Sequence, residues 1–131
     1  MLKVFKLNTG EEGFYNITSY VRQAVNESGV QEGIAVVFCP HTTAAITINE
    51  NADPDVTEDL VYAFDKTFLS RPQFKHCEGN SHAHLKSSCV GASETVIIDD
   101  GALALGVWQA IYFVEFDGPR ERNFAVKIIK G

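Results

Sequence analysis

The sequence has little that would cross-link, stiffen or anchor it: among 131 residues there are three cysteines, four prolines, one methionine and one tryptophan. Cys39, Cys77 and Cys89 form an odd set without paired spacing, which suits reduced thiols and excludes a disulfide framework as the main support. No apolar run approaches the roughly 18 to 20 residues that cross a bilayer, and no basic segment followed by a short apolar stretch opens the chain. The cytoplasm is the expected location, and a membrane is not an expected partner. Basic residues are scarce, 11 Lys and Arg against 17 Asp and Glu, for a net charge of −6. A binder of phosphate backbones needs many cations, so nucleic acid is not an expected partner either. The G-x-S-x-G elbow, the Walker loop and the G-x-G-x-x-G turn are all missing. Serine hydrolases, P-loop enzymes and dinucleotide enzymes therefore lack their geometric devices here, and no organic cofactor is expected.

What is present is the balance of a soluble domain, with 45% hydrophobic and 21% charged residues in a length that suits one domain over residues 1–131. The acid excess is local. Glu50, Asp53, Asp55, Glu58, Asp59 and Asp65 stand in one stretch without Lys or Arg, and the other 11 acids balance the 11 bases.

Lys3 to Leu7 reads as a strand, and Ile17, Tyr20, Val21, Ala24 and Val25 recur at helical spacing before Gly29, a stop. The apolar run Ile34 to Cys39 and the segment Thr43 to Asn49 read as two neighbouring buried strands. Asp53-Pro54 supplies a cap and first position for a second helix, whose apolar stripe is Val56, Leu60, Ala63, Phe64 and Phe68. Asp53 and Asp55 suit its positive end, and Glu58, Asp59 and Asp65 its solvated face. Ser70 to Ser81 reads as a long loop, and His84–Val90, Thr95–Ile98, Gln109–Phe116 and Asn123–Ile129 as strands. The expected class is α+β: an antiparallel, β-sandwich-like single domain with two main helices.

The chemistry-bearing residues concentrate around the histidines. His82 and His84 lie two apart, so in an extended segment both imidazoles share a face, and His41 would be a third. Such a set fits a divalent metal, with Glu50 or Asp53 completing or orienting it. It equally fits polar residues on a solvated strand. Thr42, Thr43, Asn80, Ser81, Lys86 and Arg120 supply hydroxyl, amide and cationic donors for an anion, although Arg120 also suits a surface pair with Asp117 or Glu121. Trp108 reads as a core or interface anchor.

Four separated segments then form a pattern: Pro40-His41-Thr42-Thr43-Ala44-Ala45, Asn49-Glu50-Asn51-Ala52-Asp53-Pro54-Asp55-Val56, Glu78-Gly79-Asn80-Ser81-His82-Ala83-His84-Leu85-Lys86 and Phe116-Asp117-Gly118-Pro119-Arg120. In this order, across nearly the whole chain, they resemble the YjbQ-like family, also called the secondary thiamine-phosphate synthase family. One position departs from it: Val107 stands where the family usually has Thr before Trp108 and Gln109. The resemblance implies a homotrimer whose histidine motifs gather in a pocket near subunit contacts. It further implies weak thiamine-phosphate synthase activity, joining hydroxymethylpyrimidine diphosphate to thiazole phosphate. On that reading His41, His82 and His84 bind a metal, zinc or magnesium, or act as acid–base groups with Glu50 or Asp53. Two alternatives stand beside it: a metal-dependent hydrolase or lyase on another small anion, and a non-catalytic trimer that binds a metabolite or metal.

Overall fold

Alternating side chains set the first strand, β1 (Leu2–Asn8), with Phe5 inward and Leu2 and Val4 outward. In the computed structural model, which describes residues 1–131, it is followed by β2 (Gly13–Asn16), α1 (Thr18–Ser28), β3 (Gly33–Phe38), β4 (Ala44–Glu50) and α2 (Pro54–Thr67). Then come α3 (Ser81–Val90), β5 (Ser93–Asp99), β6 (Ala102–Leu103), β7 (Gln109–Glu115) and β8 (Glu121–Lys130). The strands make two antiparallel sheets, β1-β8-β3-β5-β6 and β2-β7-β4.

One face of each sheet meets the other, together with α1, in a core that includes Phe5, Val21, Val37, Ile46, Ile111, Phe113 and Phe124. The far face of the three-stranded sheet is covered as well, because Ala45, Tyr112, Val114 and Phe116 pack with Ala83 and Val90 of α3 and Phe64 of α2. That double burial is why β7 is apolar at nearly every position while β8 alternates. Helix α1 ends at Gly29, whose φ of 69° is the left-handed conformation that favours glycine.

The mixed α+β class holds, with corrections to the elements. There are three helices, not two: His84–Val90 lies within α3. Ala83, Lys86 and Val90 turn toward the sheet at helical spacing, and the Ser87 hydroxyl donates to the Ala44 carbonyl at 2.7 Å. A lysine in that buried row hides the apolar period in the sequence. The strands β3 and β4 are not neighbours; β3 pairs with β5 and β8, and β4 with β7. Nor is β3 buried on both faces, since Phe38 stays 44% exposed. Asp53 caps α2 as expected, accepting from the Asp55 amide at 2.9 Å with Pro54 in the first position. Cys39 is buried, whereas Cys77 and Cys89 are exposed, and all three are free.

Candidate functional site

Where β4 begins and β7 ends, the chain enters and leaves the three-stranded sheet side by side, with Ala44 opposite Glu115. An open cleft of about 380 Å³ lies there, lined by Pro40, His41, Thr42, Thr43, His76, Glu78, Asn80, His84, Asp117, Arg120 and Arg122, all polar or charged except Pro40. One wall is the pair of turns at the sheet end; the other is the α2–α3 connection and the first turn of α3.

The base of the cleft is a buried ion pair. Arg122 donates from Nε to Glu115 Oε1 at 2.8 Å and from Nη2 to Oε2 at 2.5 Å, and Nη2 also reaches Thr43 Oγ1 at 2.9 Å. Glu115 accepts further from the Thr9 hydroxyl at 2.6 Å and the Asp117 amide at 2.9 Å. Burial pushes its carboxyl up, but Arg122 and these donors outweigh burial and hold it below the usual carboxylate range. Gly118 lets the turn above close, because a Cβ there would lie 2.1 Å from the Gly10 carbonyl oxygen and 2.9 Å from Glu115 Cγ.

At the rim, Arg120 donates from Nη2 to Asp117 Oδ2 at 2.9 Å, and Asn80 Nδ2 reaches the same oxygen at 2.8 Å. Burial raises the Asp117 carboxyl, and Asn80 and Arg120 more than reverse that. The Asn80 Oδ1 atom is buried without a partner. His76 and His84 meet edge to face at 5.5 Å between ring centroids, and His76 Nε2 lies 3.8 Å from Glu78 Oε1. His41 accepts at Nε2 from the Asn123 amide at 2.9 Å. A nitrogen that accepts carries no proton, so the neutral ring has its proton on Nδ1. Burial, and then the Arg122 charge, lower the His41 pKa and keep this neutral form at pH 7.

Of the residues expected at a site, the cleft brings together His41, His84, Thr42, Thr43, Asn80 and Arg120. It does not bring His82 to its lining, because on a helix two residues apart means about 200° of rotation, not a shared face. His82 Nδ1 is buried without a partner. Ser81 is likewise outside the lining, and Lys86 is only 2% exposed, donating to Glu12 at 2.7 Å and Asp65 at 2.5 Å. Asp65 is thus an ion-pair partner and not just part of a solvated face. Glu50 closes the far end of β4 and Asp53 lies beyond it, about 20 Å or more along the strand at its usual rise, so neither can orient the cleft imidazoles within one chain. No three His, Cys, Asp or Glu side chains form a group able to hold a metal ion. The set His41, His82 and His84 is therefore not assembled around one point.

Sequence reasoning missed His76, Glu78, Asp117, Glu115 and Arg122. His76 and Glu78 lie in the long loop between Ser70 and Ser81, and Asp117 was expected only as a surface partner of Arg120. The alternation of β8, which turns Arg122 inward with Phe124 and Val126, was the available signal for the buried pair.

A two-sheet α+β domain with a polar, histidine-lined cleft at one sheet end defines the class. The family model described as UPF0047 protein YjbQ-like matches residues 3–131. A UPF0047 protein of Methanocaldococcus jannaschii is 52% identical over 98% of this chain and 94% of its own length, and YugU of Bacillus subtilis is 48% identical over 98% and 99%. Among solved structures, an uncharacterised YjbQ/UPF0047 protein from Clostridium acetobutylicum superposes with a TM-score of 0.95 at 58% identity, over 97% of this chain and 99% of that one. A protein of unknown function from Sulfolobus solfataricus gives 0.94 at 33% identity, over 100% and 97%. The chain belongs to the UPF0047 YjbQ-like family.

Proposed function

We propose that the cleft binds a small phosphorylated molecule and acts on it by proton transfer, as a slow thiamine-phosphate-synthase-like transferase. The observation that carries the reading is the lining: three imidazoles, two guanidiniums and two threonine hydroxyls converge, with Pro40 the one hydrocarbon side chain beside them. The Thr43 hydroxyl accepts from Arg122, which leaves its own proton free to donate, and His41 offers Nδ1–H. Joining the two thiamine precursors forms a carbon–nitrogen bond to the pyrimidine's methylene carbon and breaks that carbon's bond to the diphosphate oxygen. His84 or His76 would then protonate the departing diphosphate.

Both cleft guanidiniums already answer to a carboxylate, Arg120 to Asp117 and Arg122 to Glu115, so little free positive charge faces a leaving diphosphate. That favours low turnover and supports a second reading, a metabolite binder without chemistry. Zinc or magnesium belongs to the proposal as an ion that arrives with the phosphorylated ligand, since the protein's own side chains do not close around one. Assembly as a homotrimer is part of the same reading. It is supported by the uncovered outer face of the larger sheet, where Leu2, Val4, Phe38, Ile97 and Ile129 are exposed. Cytoplasmic location is supported by three free thiols.

The test is product formation from the two precursors, with and without added magnesium. We expect His84→Ala to lose at least about tenfold in rate while His82→Ala retains it. Equal loss in both variants, or none in either, would remove the cleft from the chemistry; saturable precursor binding without product would favour the metabolite binder.

A further inference from the structure

Past the other end of β4, about 25 Å along the strand from Thr43 at the usual rise, a second pocket of about 240 Å³ opens between α1 and the start of β7. It is lined by Asn16, Thr18, Ser19, Arg22, Asn51, Gln109 and Ala110.

The hydrogen bonds around it have a one-sided outcome. Asn16 Oδ1 accepts from the Thr18 amide at 3.1 Å and the Thr18 hydroxyl at 2.7 Å. The Thr18 hydroxyl oxygen in turn accepts from the Ile111 amide at 2.9 Å. Asn51 Oδ1 accepts from Asn16 Nδ2 at 3.1 Å, and Gln109 Oε1 accepts from the Gly106 amide at 2.8 Å. Every side-chain amide oxygen of the lining is thereby engaged within the protein. The unengaged groups are donors: both Nδ2 protons of Asn51, one of Asn16, Gln109 Nε2 and the Arg22 guanidinium, besides the Ser19 hydroxyl, which can do either. Arg22 has no carboxylate partner, and no Asp or Glu lines the pocket. This contrasts with the histidine cleft, where each arginine is held by an acid.

We propose that this pocket is a separate binding site for a small oxyanion, the phosphoryl group of a metabolite, with Arg22 as its charge and the amide nitrogens of Asn51 and Gln109 as its directional donors. A tetrahedral dianion offers several acceptor oxygens and matches a donor-rich pocket around one unpaired guanidinium. A cation would meet no carboxylate there, only the Ser19 hydroxyl and the second lone pairs of Asn51 Oδ1 and Gln109 Oε1, each already accepting one hydrogen bond. The site goes beyond the cleft assigned above and shares no residue with it.

The experiment is a titration of ¹⁵N-labelled protein with inorganic phosphate, following the side-chain NH₂ signals of Asn16, Asn51 and Gln109 and the indole of Trp108. Trp108 precedes Gln109 and accepts at its carbonyl from the Asn51 amide at 2.8 Å. We expect saturable shifts in the wild type, weakened about tenfold or more in Arg22→Gln and unchanged in Arg120→Gln, which alters only the histidine cleft. Arg22 is exposed on α1, so its replacement leaves the fold intact. Shifts that do not saturate, that survive Arg22→Gln undiminished, or that vanish in Arg120→Gln would each overturn the proposal, the last by placing the anion in the cleft.

Discussion

The main-chain amide of Asn123 donates to Nε2 of His41 at 2.9 Å, across 82 residues of sequence, and so decides which nitrogen of that ring carries the proton. A half-buried neutral imidazole with one nitrogen engaged as an acceptor donates from the other. We expect ¹⁵N chemical shifts at pH 7 to show His41 as the neutral tautomer protonated on Nδ1. It should take its second proton only below the ordinary histidine value of 6.5, because burial and the Arg122 charge lower its pKa. A charged His41 at pH 7 would contradict the assignment.

Glu115 and Arg122 behave as a unit. Their side chains are 0% and 5% exposed, so removing one strands the other without solvent. Glu115→Ala is expected to cost about 3 to 5 kcal/mol in thermal or denaturant unfolding, and adding Arg122→Met should recover part of that loss. The Glu115 carboxyl lies below its ordinary 4.5, so its stabilisation is complete above that pH and is lost as the pH falls beneath it.

Glu12 has the opposite sign. Burial, then its contact with Asp65, raises it to about 7 in spite of Lys86. Between 4.5 and about 7 the folded state therefore holds a proton that the unfolded chain has released, and stability falls as pH rises through that window. Glu12→Gln mimics the protonated acid. It should leave the melting temperature near wild type at pH 5 and raise it at pH 8, by the equivalent of about 1 kcal/mol after allowance for solvent screening. A wild-type profile that is flat from pH 5 to 8 would count against the raised value.

The larger sheet's outer face carries a row in register, Ile129, Ile34 and Ile97, beside Leu2 and Val4 on the edge strand. If that face joins copies of the chain, Ile97→Lys should weaken the assembly about tenfold or more in analytical ultracentrifugation while leaving monomer circular dichroism unchanged. Wild-type protein that sediments as a monomer would remove the trimer from the proposal.

How far the fold was legible depends on where the chain alternates and where it does not. Strand β1, helices α1 and α2 and the Asp53-Pro54 cap follow from period and capping chemistry, because β1 and α1 each bury one face against a single layer and α2 rests Phe64 on another. Helix α3 was hidden because its buried row contains Lys86, whose charge is satisfied by Glu12 of the β1–β2 connection and Asp65 of α2. Reading that segment as extended put His82 and His84 on one face; the helix separates them. The same pattern explains the site. His41, Thr42, Thr43, Asn80, His84 and Arg120 were visible as types and segments, but Glu50 and Asp53 share a motif with each other and not with the cleft, since proximity along β4 becomes distance along a strand. The alternation of β8 turns Arg122 inward, but its pairing with Glu115 needed the placing of one sheet against the other, which local spacing does not encode.

The two walls of the cleft differ in what holds them. Thr43, Asp117 and Arg122 are fixed to sheet ends by buried hydrogen bonds, whereas His76 and Glu78 ride on the exposed connection after α2, a helix with no fully buried residue. Amide exchange should be slow on the first wall and fast on the second. A ligand that touches both couples the firmest part of the molecule to one of its least secured, so its binding would register as protection far along residues 68–80, at amides it never contacts.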